Sequence, residues 1–160
     1  MKIIDNFLSS EDFNILEKEI SGSYFPWFYS DFKTSIEVSK KYDFQFTHFF
    51  IRDNNIVSPH FKIIKPLINK LQSKKIIRVK ANLTTRTSEI IKYDLHTDYD
   101  YDCNIAIFYV NTNDGYTFFD TGETVNSVEN RVLLFNNSLK HSGTSCTKYK
   151  KRIVVNINYI

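Results

Sequence analysis

The chain has 160 residues, 42% of them hydrophobic and 24% charged, a balance that excludes a disordered chain and supports a core without a metal or disulfide staple. Its 21 Lys and Arg against 18 Asp and Glu leave a net charge of +3, too slight for an electrostatic nucleic-acid footprint. No apolar run approaches the length of a membrane span, and the opening residues are too polar for a signal peptide.

In chain order, Ser9-Ser10-Glu11-Asp12 has the pattern of a capping box, with Leu8 and Phe13 placed as its hydrophobic staple. Phe13, Leu16 and Ile20 share one helical face and Gly22 suits its end, so a helix is expected near 9–21. Residues 44–50 read as a strand. Ser58-Pro59 then supplies an N-cap and an N1 proline for a second helix over 58–73, with Phe61, Ile64, Ile68 and Leu71 at helical spacing. Pro66 falls inside this pattern and should kink or split the helix. From Ile76 onward short strands are expected at 76–83, 89–97, 103–111, 116–119, 131–136 and 152–160. Turn signals at Asn113-Asp114-Gly115, Thr121-Gly122, Asn136-Asn137-Ser138 and Ser142-Gly143 separate the later ones.

No linker rich in Pro, Gly or Ser divides the chain. Residues 1–160 read as a single domain, with a helical support region (1–75) before a β core (76–160). The expected fold is mostly β with N-terminal helices: a double-stranded β-helix of the jelly-roll, cupin-like kind, its helices packed on the outer face of one sheet. Cys103 and Cys146 alone make neither a disulfide scaffold nor a thiolate zinc site and read as buried hydrophobes, in a soluble cytoplasmic protein.

The last strand has two distinct faces. Alternation puts Ile153, Val155, Ile157 and Tyr159 on one side and Arg152, Val154, Asn156 and Asn158 on the other. If the sheet curls into a barrel, the second set lines a polar interior of the kind a ligand pocket needs.

Four side chains carry candidate chemistry. In His96-Thr97-Asp98 the imidazole and carboxylate are two residues apart, so on a strand they converge and can chelate a divalent metal. A hydrogen-bonded pair at a surface strand end has the same spacing. Adding His141, after the strand at 131–136, gives two histidines and one carboxylate, the facial triad of non-haem Fe(II) oxygenases. Arg152 is expected to face the interior, where a guanidinium needs an anion, either a ligand carboxylate or a neighbouring aspartate.

The order and spacing of these segments resemble the Fe(II)- and 2-oxoglutarate-dependent oxygenase superfamily, in its prolyl hydroxylase-like branch, over about residues 76–160. HTD looks like the family's His-x-Asp, and FYVNTNDGYTFF is similar to its strand, asparagine, glycine turn and strand. NRVLLFNNSLKHSG resembles the approach to the distal histidine, 43 positions after Asp98. KRIVVNINY resembles the closing strand that opens with the basic residue for 2-oxoglutarate. The resemblance implies that His96, Asp98 and His141 hold Fe(II), that Arg152 binds the distal carboxylate of 2-oxoglutarate, and that Tyr109 hydrogen-bonds the same group; a core aromatic is the other reading of Tyr109. The family's Tyr-x-x-Gly before the His-x-Asp is missing. Asn82 and Thr84 are the candidates to supply a polar group in place of its tyrosine.

The implied activity is that of a dioxygenase using Fe(II), 2-oxoglutarate and O2, hydroxylating a peptide side chain such as proline, or a small molecule, and releasing succinate and CO2. The alternatives are a non-catalytic jelly-roll binding module and a cupin-type metal protein. Segments 25–41 and 98–103 are the expected pocket rims. His48 reads as a satisfied core or edge histidine, His60 and the basic residues Lys74, Lys75, Arg78 and Lys80 as solvated, and Trp27 as packing.

Overall fold

The computed structural model describes residues 1–33 and 43–160. Its strands are β1 (Lys2–Ile4), β2 (Phe28–Ser30), β3 (Gln45–Arg52), β4 (Asn55–Ile56), β5 (Ile76–Thr85), β6 (Asn104–Tyr109), β7 (Tyr116–Phe119), β8 (Thr124–Asn126), β9 (Arg131–Asn136), β10 (His141–Gly143) and β11 (Lys151–Tyr159). They form two antiparallel sheets. The larger runs β1-β9-β6-β11-β5-β3-β2 with β4 paired to β3, and the smaller runs β10-β7-β8. The chain is thus mostly β. The large sheet draws β1 to β4 from the region before residue 76, so the β architecture reaches well outside the span expected to hold it.

Helix α1 (Ser10–Ser21) starts at the expected cap: Ser9 Oγ accepts from the Asp12 backbone N–H at 3.1 Å. The return bond differs from a regular capping box, because Ser9 Oγ donates to the Asp12 carboxylate at 2.8 Å. The second helix is two pieces, a 3-10 segment over Pro59–Ile64 followed by α2 (Lys65–Leu71). Pro66 explains the break: lacking an N–H, it fits the first turn of a new helix and not the interior of an old one. Among the described residues no helix is long and apolar enough to cross a membrane.

The two faces of β11 feed two different cores. Ile153, Val155 and Ile157 join Leu16 and Ile20 of α1, Ile64 and Leu67 of the second helical pair, and Phe108 and Val132 of the neighbouring strands. Val154 joins Ile105, Ile107, Tyr109 and Leu133 of the large sheet with Phe119 and Val125 of the small one. The β5 register fixes what stands beside the polar residues of β11. Arg152 pairs with Thr84, Val154 with Asn82, Asn156 with Lys80 and Asn158 with Arg78. Directly opposed residues of antiparallel strands share a face. These two rows therefore form one polar strip beneath the small sheet.

The strand expected at 89–97 is not formed. That segment crosses opposite β10 and makes only isolated bridges, Lys92 to Thr144 and His96 to His141. Side chains replace part of the ladder: Ile91 N–H donates to Ser145 Oγ at 2.8 Å, while Ser145 N–H donates to Ile91 O at 3.0 Å.

Candidate active site

His96, Asp98 and His141 converge. One ligand atom from each lies within 4.8 Å of the other two. The bridge between the crossing segment and β10 brings the histidines together, with backbone N–H to O distances of 3.1 and 3.0 Å and ring centroids 5.0 Å apart. Asn137, in the turn before β10, fixes the approach of Asp98. Its side-chain oxygen accepts from the Asp98 and Tyr99 N–H groups at 2.9 and 3.3 Å, and its nitrogen donates to the Tyr99 and Tyr101 carbonyls.

The Asp98 side chain is 6% exposed and heavily supported on one oxygen. Its Oδ2 accepts from Asn158 at 2.7 Å and Asn156 at 3.1 Å, and lies 2.9 Å from Arg78 Nη2. Burial alone would raise its pKa. Arg78, the Asn158 bond and the two imidazoles outweigh burial and hold the carboxyl well below the usual range. Burial pushes the His141 imidazole down to about 4, so at neutral pH it is uncharged. An ionised carboxylate whose Oδ2 is occupied, beside a neutral histidine, suits a divalent metal held through Asp98 Oδ1 and two ring nitrogens. The donor set fits Fe(II).

These residues stand at one end of a cavity of about 250 Å³. Arg152 is at the other end, buried, its Nε donating to Ser127 Oγ at 3.0 Å and its Nη2 to Thr117 Oγ1 at 3.2 Å. Two glycines leave it room. A Cβ on Gly143 would lie 3.0 Å from Arg152 Nη1, and one on Gly115 would lie 2.8 Å from Arg152 Cδ and 2.6 Å from the Ser145 carbonyl. Tyr109 is fully buried and does not line the cavity itself; its hydroxyl donates to Thr117 at 2.8 Å and its ring lies 5.8 Å from the Arg152 guanidinium. Asn82 and Thr84 both line the cavity, and Asn82 Oδ1 is buried without a hydrogen-bond partner. Thr84 Oγ1 accepts from Lys33 Nζ at 3.1 Å.

Several residues outside the expected set also belong to the site. Arg78 and Lys80, which read as a solvated strand entry, face the cavity, and burial lowers Lys80 to about 8. Strand parity offers a signal, since Arg78, Lys80, Asn82 and Thr84 alternate along β5 as Arg152, Val154, Asn156 and Asn158 do along β11. Lys33 and Asn137 carry no such signal. The expected rim at 25–41 lies outside the described residues from position 34 on. In the other rim, the Tyr99 and Tyr101 rings meet tilted by 36°, with centroids 4.8 Å apart. His48 is satisfied as expected, between the Pro26 carbonyl and Ser58 Oγ. His60 is not simply solvated: its Nδ1 lies 2.8 Å from a Glu19 carboxylate oxygen.

No protein-family model matches the chain, and no curated protein matches it in sequence. Solved structures do match. A prolyl hydroxylase from Trichoplax adhaerens, in complex with a hypoxia inducible factor oxygen degradation domain peptide fragment, is similar with a TM-score of 0.72 at 15% identity, over 99% of this chain and 82% of the other. A 2OG-Fe(II) oxygenase family protein from Burkholderia pseudomallei gives 0.70 at 10% identity, covering 98% and 83%. A viral collagen prolyl hydroxylase from Paramecium bursaria Chlorella virus-1, in its 2OG complex, gives 0.59 at 13% identity, covering 99% and 95%. The chain has the fold of the prolyl hydroxylase-like oxygenases.

Proposed function

We propose that this protein is an Fe(II)- and 2-oxoglutarate-dependent dioxygenase that hydroxylates a peptide side chain or a small molecule. The two sheets serve as its double-stranded β-helix, braced by the helices on the outer face of the larger one. The 160 residues work as one cytoplasmic domain. One observation carries the reading: a convergent His-Asp-His set and a buried arginine at opposite ends of one cavity. A pocket for a sugar or peptide alone has no need of both, which disfavours the non-catalytic alternative.

His96, Asp98 and His141 would hold the metal, and Arg152 would take the carboxylate of 2-oxoglutarate that does not face it. With both bound, they would supply oxidative decarboxylation of the cosubstrate by O2 to succinate and CO2, one oxygen atom going to succinate and the other to the substrate. The chain's own part is orientation. Arg78, Asn156 and Asn158 keep Asp98 ionised and aimed. Ser127 and Thr117 hold the Arg152 guanidinium in one plane. A second cavity of about 760 Å³ shares Lys33, Gln45 and Lys80 with the first and is walled by Phe28, Tyr29, Phe32 and Phe49. Substrate enters from that side, where aromatic walls suit a peptide or an apolar small molecule.

The test is succinate release from 2-oxoglutarate by the Fe(II)-loaded protein in air, screened against peptide and metabolite pools. Turnover stimulated by one pool and abolished in His141→Ala is expected. Absence of both 2-oxoglutarate binding and succinate release, with metal bound, would overturn the proposal.

A further inference from the structure

Lys33 follows β2 and reaches the same cavity as Arg152. Its Nζ donates to Thr84 Oγ1 at 3.1 Å and lies 3.1 Å from the centroid of the Tyr93 ring. Thr84 is the cross-strand partner of Arg152. The two basic side chains, 119 positions apart in sequence, therefore meet at one end of the cavity. That end is away from the metal ligands, because Asp98 is held by Asn156 and Asn158, four and six residues further along β11.

Donors predominate among the side chains at this end, although the Asp43 charge also acts on Lys33 and the buried Asn82 Oδ1 is an acceptor. Thr117 Oγ1 already accepts from both Tyr109 and Arg152, so its own hydrogen is left to donate. Thr84 Oγ1 accepts from Lys33 and likewise keeps its hydrogen. An amino group, a guanidinium and two hydroxyls thus offer donors around one small volume. A carbonyl or hydroxyl ligand would leave most of them unused, whereas a carboxylate accepts from several at once.

We propose that Lys33 binds the distal carboxylate of the dicarboxylic cosubstrate together with Arg152. The proposal rests on the 2-oxoglutarate reading above. Lys33 is a cosubstrate-binding residue supplied from outside the strands that carry the other site residues, with Thr84 and the Tyr93 face holding its amino group in place.

The test compares two ligands by calorimetric titration of the Mn(II)-loaded protein: 2-oxoglutarate, and 2-oxobutyrate, which keeps the 2-oxo acid end but has no second carboxylate. Lys33→Met should weaken 2-oxoglutarate by about ten- to a hundredfold, as expected on removing one charge-assisted hydrogen bond. Affinity for 2-oxobutyrate and for Mn(II) should stay as in the parent protein, and Lys33→Arg should recover part of the preference. Should Lys33→Met fail to fold by circular dichroism, Lys33→Gln, which keeps a polar tip and loses the charge, must show the same selective loss. Unchanged 2-oxoglutarate affinity, or equal losses for both ligands, would overturn the role of Lys33. A parent protein that binds Mn(II) but not 2-oxoglutarate would instead overturn the cosubstrate reading itself.

Discussion

Arg78 Nη2 stands 2.9 Å from Asp98 Oδ2, and this ion pair joins Asp98 to the floor of the large sheet. Both side chains are largely withdrawn from water, at 18% and 6% exposure. Breaking such a pair from one side leaves a buried charge, which costs about 3 kcal/mol or more. Arg78→Leu should therefore lower the stability of the metal-free protein by about 3 kcal/mol in urea denaturation. The double variant Arg78→Leu/Asp98→Asn should regain much of that loss. Metal affinity of Arg78→Leu should fall by about ten- to a hundredfold, as expected when a ligand's supporting bonds are removed.

His96 and Asp98 should differ sharply when each is replaced by alanine. Both variants should lose metal binding in an anaerobic titration with Fe(II). Only Asp98→Ala should also lose fold stability, because it strands Arg78 and the side-chain amides of Asn156 and Asn158. His96 is partly exposed and its Nδ1 contact is with the nearby Asp94 carbonyl, so His96→Ala should melt within a few degrees of the parent. Equal melting temperatures for the two variants would contradict the support assigned to Asp98.

Much of this site is legible in the residue order because its parts obey local rules. The His-x-Asp spacing is visible at once, although the strand assumed for it is not formed and Asn137, Asn156 and Asn158 position Asp98 instead; the closing strand announces its two faces by alternation. The remaining parts depend on pairing across long sequence separations. Arg78 and Lys80 sit in a run with Lys74 and Lys75 that reads as solvated; parity groups them with Asn82 and Thr84, but their position opposite Asn158 and Asn156 is what turns that face inward. Lys33 is fixed by Thr84, 51 positions away, and no local pattern encodes that contact. The short strands β1, β8 and β10 are hidden for a related reason. Three residues each are too few to show alternation, and they are strands because β9 and β7 are there to pair with them.

Arg152→Gln should weaken 2-oxoglutarate by roughly ten- to more than a hundredfold in the same titration, with Mn(II) affinity retained. Lys151→Gln is the control, because its Nζ donates to the Ser21 carbonyl at 2.9 Å on the other side of the strand. It should leave cosubstrate affinity unchanged. The reverse result would mean that the basic residue serving the cavity is Lys151.

The glycines beside Arg152 should separate binding from stability. An added Cβ at Gly143 meets only the guanidinium end, at 3.0 Å, so Gly143→Ala should displace Nη1 and reduce 2-oxoglutarate affinity with little effect on folding. At Gly115 the Cβ meets the Ser145 backbone carbonyl at 2.6 Å as well as Arg152 Cδ at 2.8 Å. Backbone has less freedom to yield, so Gly115→Ala should cost about 1–3 kcal/mol of stability, the usual range for overpacking. Thermal melts of both variants beside calorimetric titrations check the distinction.

Cosubstrate binding should take up a proton at Lys33. Burial and the Arg152 charge push this lysine down to about 6, against the raising effect of Asp43 and a weaker one from Cys146; Tyr93, itself pushed up to about 12, packs against it uncharged. At pH 7.5 the amine of the free protein is therefore mostly neutral. The unfolded chain keeps an ordinary lysine near 10.5, so between about 6 and 10.5 it binds the extra proton, and the free protein gains stability as pH rises through that window. A carboxylate brought against the amine favours the charged form and raises its pKa. Binding then draws in a proton, and 2-oxoglutarate affinity should fall as pH rises above about 6, by at most about tenfold per pH unit. Titrations at pH 7.5 in buffers of different ionisation heat, such as phosphate and Tris, measure the uptake directly. Lys33→Met should show both a smaller uptake and a flatter pH dependence. Equal uptake in the parent and in Lys33→Met would show that the proton goes elsewhere.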